Sequence, residues 1–235
     1  MSNGRERGLQ TLGKGRGKMA NTYYDTLYGR RAYFIGDSLF GGHSLGRGGT
    51  WIGMLADKYG MEHTNLGVNG CTLSACEGGA NPIIKRFCEL PEEPCDFVVF
   101  EGGRNDYNKC AELGERGGDV STYKGATSAL IDGLRERYPE AVIIAVSFWK
   151  VGDRPNAAGV SCNEYTAAMR EVCREMNVPL IDTTVAEESL IDMTNGELRR
   201  EFCLVPGDVC HLNHRGMKRV LPFFERKIAE IIDNK

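Results

Sequence analysis

Short apolar runs alternate with stretches of helical periodicity along most of this chain, and that alternation limits its possible folds more than any other feature. Tyr33–Phe34–Ile35, Cys95 to Glu101 and Ala141 to Phe148 read as buried strands, the last two almost continuously apolar. Met61 to Leu66 and Val178 to Asp182 add two shorter strands. Between them, 48–59, 81–90, 121–138 and 163–176 carry apolar residues at helical spacing, as Trp51, Ile52, Leu55 and Tyr59 do. Asn81–Pro82 is expected to open the second of these helices as cap and first residue. Glu187 to Phe202 reads as helix in pieces broken at Asn195–Gly196, and an amphipathic helix from about Met217 to Ile232 closes the chain. Residues 107–120 and 149–159 are irregular and are expected to lie at the rim of a site. Strands alternating with helices predict an α/β fold with a doubly wound parallel sheet. In such sheets, chemistry collects beyond the carboxyl ends of the strands.

The first strand ends in Gly36-Asp37-Ser38-Leu39, bounded by Gly41 and Gly42. Ser38 therefore places a hydroxyl at the sheet's carboxyl edge, a candidate nucleophile. The second strand runs into Gly67-Val68-Asn69-Gly70-Cys71-Thr72, where a glycine lets a backbone N–H face a substrate unobstructed. Gly70 and Gly67 are both candidates. The third strand runs into Gly102-Gly103-Arg104-Asn105-Asp106, and the Asn105 amide is a donor at any working pH. Near the end, Asp208 precedes His211 by three residues, a spacing that lets a carboxylate hold one imidazole N–H and leave the other nitrogen as a base. His214 and His43 are alternatives to His211, and His63, inside the second strand, is expected to be structural. Each stretch taken alone is more often only a turn.

Taken together and in order, the four stretches resemble the SGNH hydrolase superfamily of GDSL esterases and lipases, whose blocks supply serine, glycine, asparagine and histidine. The resemblance runs from Tyr33 to the C-terminus. It implies a three-layer α/β/α sandwich with a five-stranded parallel sheet, flavodoxin-like in architecture. It also implies a triad of Ser38, Asp208 and His211, and an oxyanion hole made by the N–H groups of Ser38 and Gly70 and the side chain of Asn105. The implied reaction is hydrolysis of a carboxylic ester through an acyl-enzyme, with no metal and no organic cofactor. A short-chain acyl or acetylated carbohydrate ester is the expected substrate. A lysophospholipase or thioesterase activity, or a silent ligand-binding member of the fold, is the alternative. Leu212 stands where many members carry proline, while Asn213 and Gly216 continue the pattern.

The remaining features narrow the setting. At 235 residues the chain supports one sizeable core, expected as a single domain over 31–235 behind a basic, glycine-rich segment over 1–30. Tyr23, Tyr24 and Tyr28 are expected to pack that segment against the body. A net charge of −3 gives no reason to expect nucleic acid as a partner. No apolar run is long enough to span a bilayer and no secretory signal is visible, so a cytoplasmic location is expected. The nine cysteines include no Cys-x-x-Cys and are expected to be mostly small buried hydrophobes rather than metal ligands. Oligomeric state is not legible.

Overall fold

The structure, a computed structural model, describes residues 23–188 and 190–235. The apolar runs become β1 (Arg31–Ile35), β2 (Glu62–Asn65), β3 (Phe97–Glu101), β4 (Val142–Val146) and β5 (Leu180–Ile181). They form one five-stranded sheet, parallel throughout, in the order β2-β1-β3-β4-β5. Register sets Phe34 opposite Asn65 on one side and Val99 on the other, with Val99 opposite Ile144.

The helices are α1 (Tyr24–Leu27), α2 (Ser38–Gly41), α3 (Trp51–Tyr59), α4 (Ile83–Arg86), α5 (Arg104–Asn108), α6 (Tyr123–Arg137), α7 (Cys162–Glu175), α8 (Gly196–Phe202) and α9 (His214–Asp233). Side chains alternate across a strand, so the central strands β1, β3 and β4 each feed two cores. Ala32, Phe34, Phe97, Val99, Ile144 and Val146 pack under α1, α3 and α9, where Trp51 and Phe224 stack with ring centroids 3.9 Å apart. Tyr33, Ile35, Val98, Phe100, Ile143 and Ala145 face the opposite layer of α4, α6 and α7. The result is the three-layer sandwich with a parallel sheet that the sequence predicts.

Polar caps set the helix starts. Thr50 accepts the Gly53 N–H at the head of α3, Ser161 and Glu164 form a reciprocal box at α7, and Asn213 accepts the Gly216 N–H at α9. That cap starts α9 three residues before the apolar pattern does. The stretch 81–90 departs from expectation. Asn81 has φ of +44° and Pro82 is extended, so α4 begins only at Ile83, lasts one turn and tightens into a 3₁₀ turn over Phe87–Glu89. Among the described residues of 187–202 only α8 is helical. The Asp192 carboxylate takes the Thr194 N–H and hydroxyl, and the Met193 N–H reaches Lys150 O, so the backbone finds partners outside a helix. The segment read as an irregular loop from Tyr107 starts inside α5.

Residues 1–22 of the basic segment lie outside the described residues. Its last part belongs to the folded body: Leu27 is fully buried and Arg30 pairs with Asp96 at 2.6 Å, next to Arg31 at the start of β1, which pairs with Glu62 at 2.6 Å. Tyr23 packs on the core, whereas Tyr24 and Tyr28 stack on each other and stay exposed, so Leu27 is the principal anchor. Five cysteines are buried, Cys88 is exposed, and none forms a disulfide. Among the described residues no helix is long and apolar enough to cross a membrane.

Candidate active site

The strand order places a switch point between β1 and β3, since the chain leaves β1 for one edge and returns to the other side of it through β3. Ser38 follows β1 and Asn105 follows β3, so both lie at the carboxyl edge of that crevice. Asp37 caps α2, its Oδ1 accepting the Leu39 N–H at 2.9 Å. Ser38 is thus the first residue of α2, where a backbone N–H has no partner within the helix.

The Ser38 Oγ lies 2.9 Å from His211 Nε2, and His211 Nδ1 lies 2.9 Å from Asp208 Oδ2. An ionised carboxylate can only accept, so the proton sits on Nδ1 and Nε2 is left to accept from the serine hydroxyl. The Asp208 Oδ1 also accepts the N–H groups of Cys210 and His211 at 2.7 and 3.0 Å. Burial pushes the Asp208 carboxyl up, but these backbone bonds and the imidazole outweigh it and hold the group below its usual range. The loop is tied down on both flanks. Leu204 N–H reaches His211 O, Asn213 N–H reaches Phe202 O, and Trp149 Nε1–H donates to Cys210 O at 3.1 Å.

The two glycine candidates after β2 differ in what their N–H groups do. The Gly67 N–H donates to Asn65 Oδ1 at 2.9 Å and is therefore engaged. A Cβ at Gly67 would lie 2.1 Å from the Gly41 nitrogen, so this glycine serves close backbone packing against α2. Gly70 is exposed with φ of +77°, in a turn closed by Cys71 N–H to Val68 O, and its own N–H has no partner among the described residues. Asn105 Nδ2 donates to Asp37 Oδ2 and to Cys71 O, both at 2.9 Å. Both amide protons are thus engaged, and an oxyanion would have to share or displace one of these acceptors.

Three further carboxyl groups shape the site, and the sequence reading assigned none of them a role. Asp37 is 1% exposed and joins Ser38's helix to Asn105 through its two oxygens. Glu101, the last residue of β3, is fully buried, and its Oε2 accepts the Asp37 N–H at 3.2 Å. Burial first, and then the charge of Asp37, push Glu101 well above the usual carboxyl range. Burial raises Asp37 too, although the Leu39 N–H and Glu101 side chain offset part of it. Of the two, Glu101 is pushed up further, and its Oε1 has no hydrogen-bond partner among the described residues. Asp106, also fully buried, accepts the N–H groups of Leu73 and Ser74 at 2.8 and 2.9 Å and the Ser74 hydroxyl at 2.5 Å. It pins the loop whose Cys71 carbonyl meets Asn105. A local sign existed only for Asp37, as an N-cap type just before a helix.

The alternative histidines separate cleanly. His43, exposed at φ of +46°, brings its ring centroid to 4.5 Å from that of His211. His214 is exposed on the first turn of α9, and His63 is exposed on β2 rather than structural.

Known proteins share this architecture. A protein from Lactobacillus plantarum is 22% identical, with a TM-score of 0.74 over 88% of this chain and 98% of that one. A carbohydrate acetylesterase family member from Sinorhizobium meliloti is 18% identical, with a TM-score of 0.59 over 87% and 99%. A carbohydrate esterase family 2 enzyme from Corynascus thermopiles, which also carries a carbohydrate binding domain, is 16% identical, with a TM-score of 0.60 over 87% and 67%. At these identities the likeness speaks for the fold. No curated protein sequence matches the chain. The pattern of the GDSL-like lipase/acylhydrolase family matches residues 34–219, and the chain belongs to that family.

Proposed function

We propose that the protein is a serine esterase acting on a short-chain acyl or acetylated carbohydrate ester. The observation that carries this reading is the continuous chain Ser38 Oγ–His211–Asp208, with both links at 2.9 Å. Ser38 Oγ attacks the ester carbonyl as its proton passes to His211 Nε2, and Asp208 steadies the imidazolium that forms. The N–H groups of Ser38 and Gly70 and the Asn105 amide receive the oxyanion. Collapse expels the alcohol, which takes the proton from His211 and leaves the acyl group on Ser38. Water then attacks that ester, with His211 as base, and releases the acid. The chemistry is complete with these side chains, so no metal or cofactor is assigned a part. The choice of ester is supported by the carbohydrate esterases among the structural neighbours and by a polar rim, with His43, Asn69 and Gly70 exposed beside the site.

The test is hydrolysis of 4-nitrophenyl acetate and butyrate by the protein and by Ser38→Ala. The variant is expected to lose at least about 10³-fold in kcat/KM while keeping its fold, and a fluorophosphonate is expected to label Ser38 alone. Equal rates in both proteins would remove Ser38 from the mechanism.

A further inference from the structure

Arg104 stands between the two halves of the site. It precedes Asn105 in the chain, and its guanidinium lies against the thiol of Cys210, the residue before His211. The group packs over the rings of Tyr107 and Phe148, 5.1 and 5.4 Å from their centroids. Its Nε is fully buried and has no hydrogen-bond partner. Among the described residues it forms no ion pair and donates to no oxygen; its hydrogen bonds go to the thiols of Cys162 and Cys210. Arg86, Arg199 and Arg219 also have one buried nitrogen without a partner; the other nitrogens of Arg86 and Arg219 donate to the carbonyls of Leu66 and Glu188, whereas Arg199 stands on α8 beside Cys203, so it is the place of Arg104 next to Asn105 and Cys210 that sets it apart.

The polar groups that Arg104 does meet leave its charge standing. Burial pushes the Cys210 thiol up to about 12 and raises Cys162 as well, even though Arg104 pulls both down. Both thiols therefore stay neutral near pH 7. Asp153 bears on Cys162, yet it is exposed to solvent and makes no bond to Arg104. A partly buried cation without a counter-ion is costly, and an arriving anion relieves that cost. The aromatic contacts occupy ring faces, whereas a guanidinium recognises an anion through the N–H groups along its edge.

We infer that Arg104 is an anion-recognition group of this site, and that the preferred ester carries a carboxylate in its acyl or alcohol part. The inference rests on the esterase reading for the reaction, but the anion site itself does not require turnover. A single guanidinium matches a single planar monoanion, held by two parallel N–H···O bonds. The position of Arg104 beside both Asn105 and Cys210–His211 would orient the ester carbonyl as the carboxylate docks.

Two matched pairs of esters test this. The acyl arm compares 4-nitrophenyl hemiglutarate with methyl 4-nitrophenyl glutarate, and the alcohol arm compares 4-acetoxybenzoate with its methyl ester. In at least one arm, kcat/KM is expected to favour the anion by about 10- to 100-fold. Arg104→Met is expected to abolish that ratio, and Arg104→Lys to keep part of it. No anion preference in either arm, or an unchanged ratio in Arg104→Met, overturns the inference while leaving the esterase reading intact. If none of the esters is turned over, saturation-transfer NMR of the intact esters on Ser38→Ala decides the matter separately. Stronger binding of the anionic member, lost when Arg104→Met is added, supports the anion site. Equal binding of both members, or none, overturns it.

Discussion

On one side of Ser38, Asp208 holds His211 from a loop, with 14% of its side chain exposed. On the other, Asp37 is buried beside a second buried carboxyl, Glu101. The residue type is the same and the shifts run in opposite directions, down for Asp208 and up for Asp37. Asp208 receives two backbone N–H groups and an imidazole, enough to keep it ionised despite partial burial. Asp37 lies fully in the interior, and there burial outweighs the Leu39 N–H and the Glu101 side chain that draw it down. The difference separates a carboxylate suited to stabilising a charge that appears during reaction from carboxyl groups suited to holding backbone in place.

That contrast can be broken most severely at Asp208. Asp208→Asn keeps an acceptor for the two backbone N–H groups but forces the wrong tautomer on His211. Steady-state kinetics are expected to show kcat lower by about 10³- to 10⁴-fold with little change in urea midpoint. Near-normal turnover would take Asp208 out of the triad. Asp106 is the structural counterpart. Removing its three accepted bonds in Asp106→Ala is expected to cost about 3 kcal/mol in urea unfolding, since two buried N–H groups lose their partner. A loss under about 1 kcal/mol would mean the loop holds itself.

The smallest effect is a sign. Glu101 is raised in the folded state, so as pH climbs above its ordinary value of 4.5 the unfolded chain releases a proton that the folded protein retains. Stability is lost over that window, by at most about 1.4 kcal/mol per pH unit. Asp208 runs the other way: its contribution is present above its ordinary value of 3.8 and disappears as acid protonates it in the folded state. Glu101→Gln keeps an acceptor for the Asp37 N–H and cannot titrate. Denaturant unfolding from pH 5 to 8 should therefore show the variant gaining on the parent as pH rises. Parallel curves would place Glu101 in its ionised form throughout.

Much of this architecture was legible because it is local. The apolar runs that became β1, β3 and β4 and the helical spacing of α3, α6 and α7 announce themselves within a dozen residues. The four loop stretches did so through order and strand context. What escaped depends on partners far along the chain. Glu101 reads as the polar end of an apolar run until Asp37 is set against it, 64 residues away, and Asp106 reads as a turn residue until Leu73 and Ser74 arrive. Asn81 and the stretch 187–202, which contains Asp192, misled for a different reason. Short polar side chains favour turns as readily as helices, and here a left-handed backbone at Asn81, expected as a cap, and an Asx turn at Asp192 prevailed.

The contact between Gly67 and Gly41 carries a consequence for how such a protein can diversify. With no side chain between them, the loop after β2 and the helix bearing Ser38 touch backbone to backbone. Any residue larger than glycine at position 67 would separate the two structures that carry Ser38 and Gly70, so this seam has to be inherited as a unit. Variation is left to the outer margins. Gly46 and Gly48 face open space, as does Gly70 at the tip of its turn. A side chain at Gly48, or an insertion beyond Gly70, can reshape those margins without loosening the seam, whereas the left-handed backbone at His43, Gly46 and Gly70 restricts what can stand there.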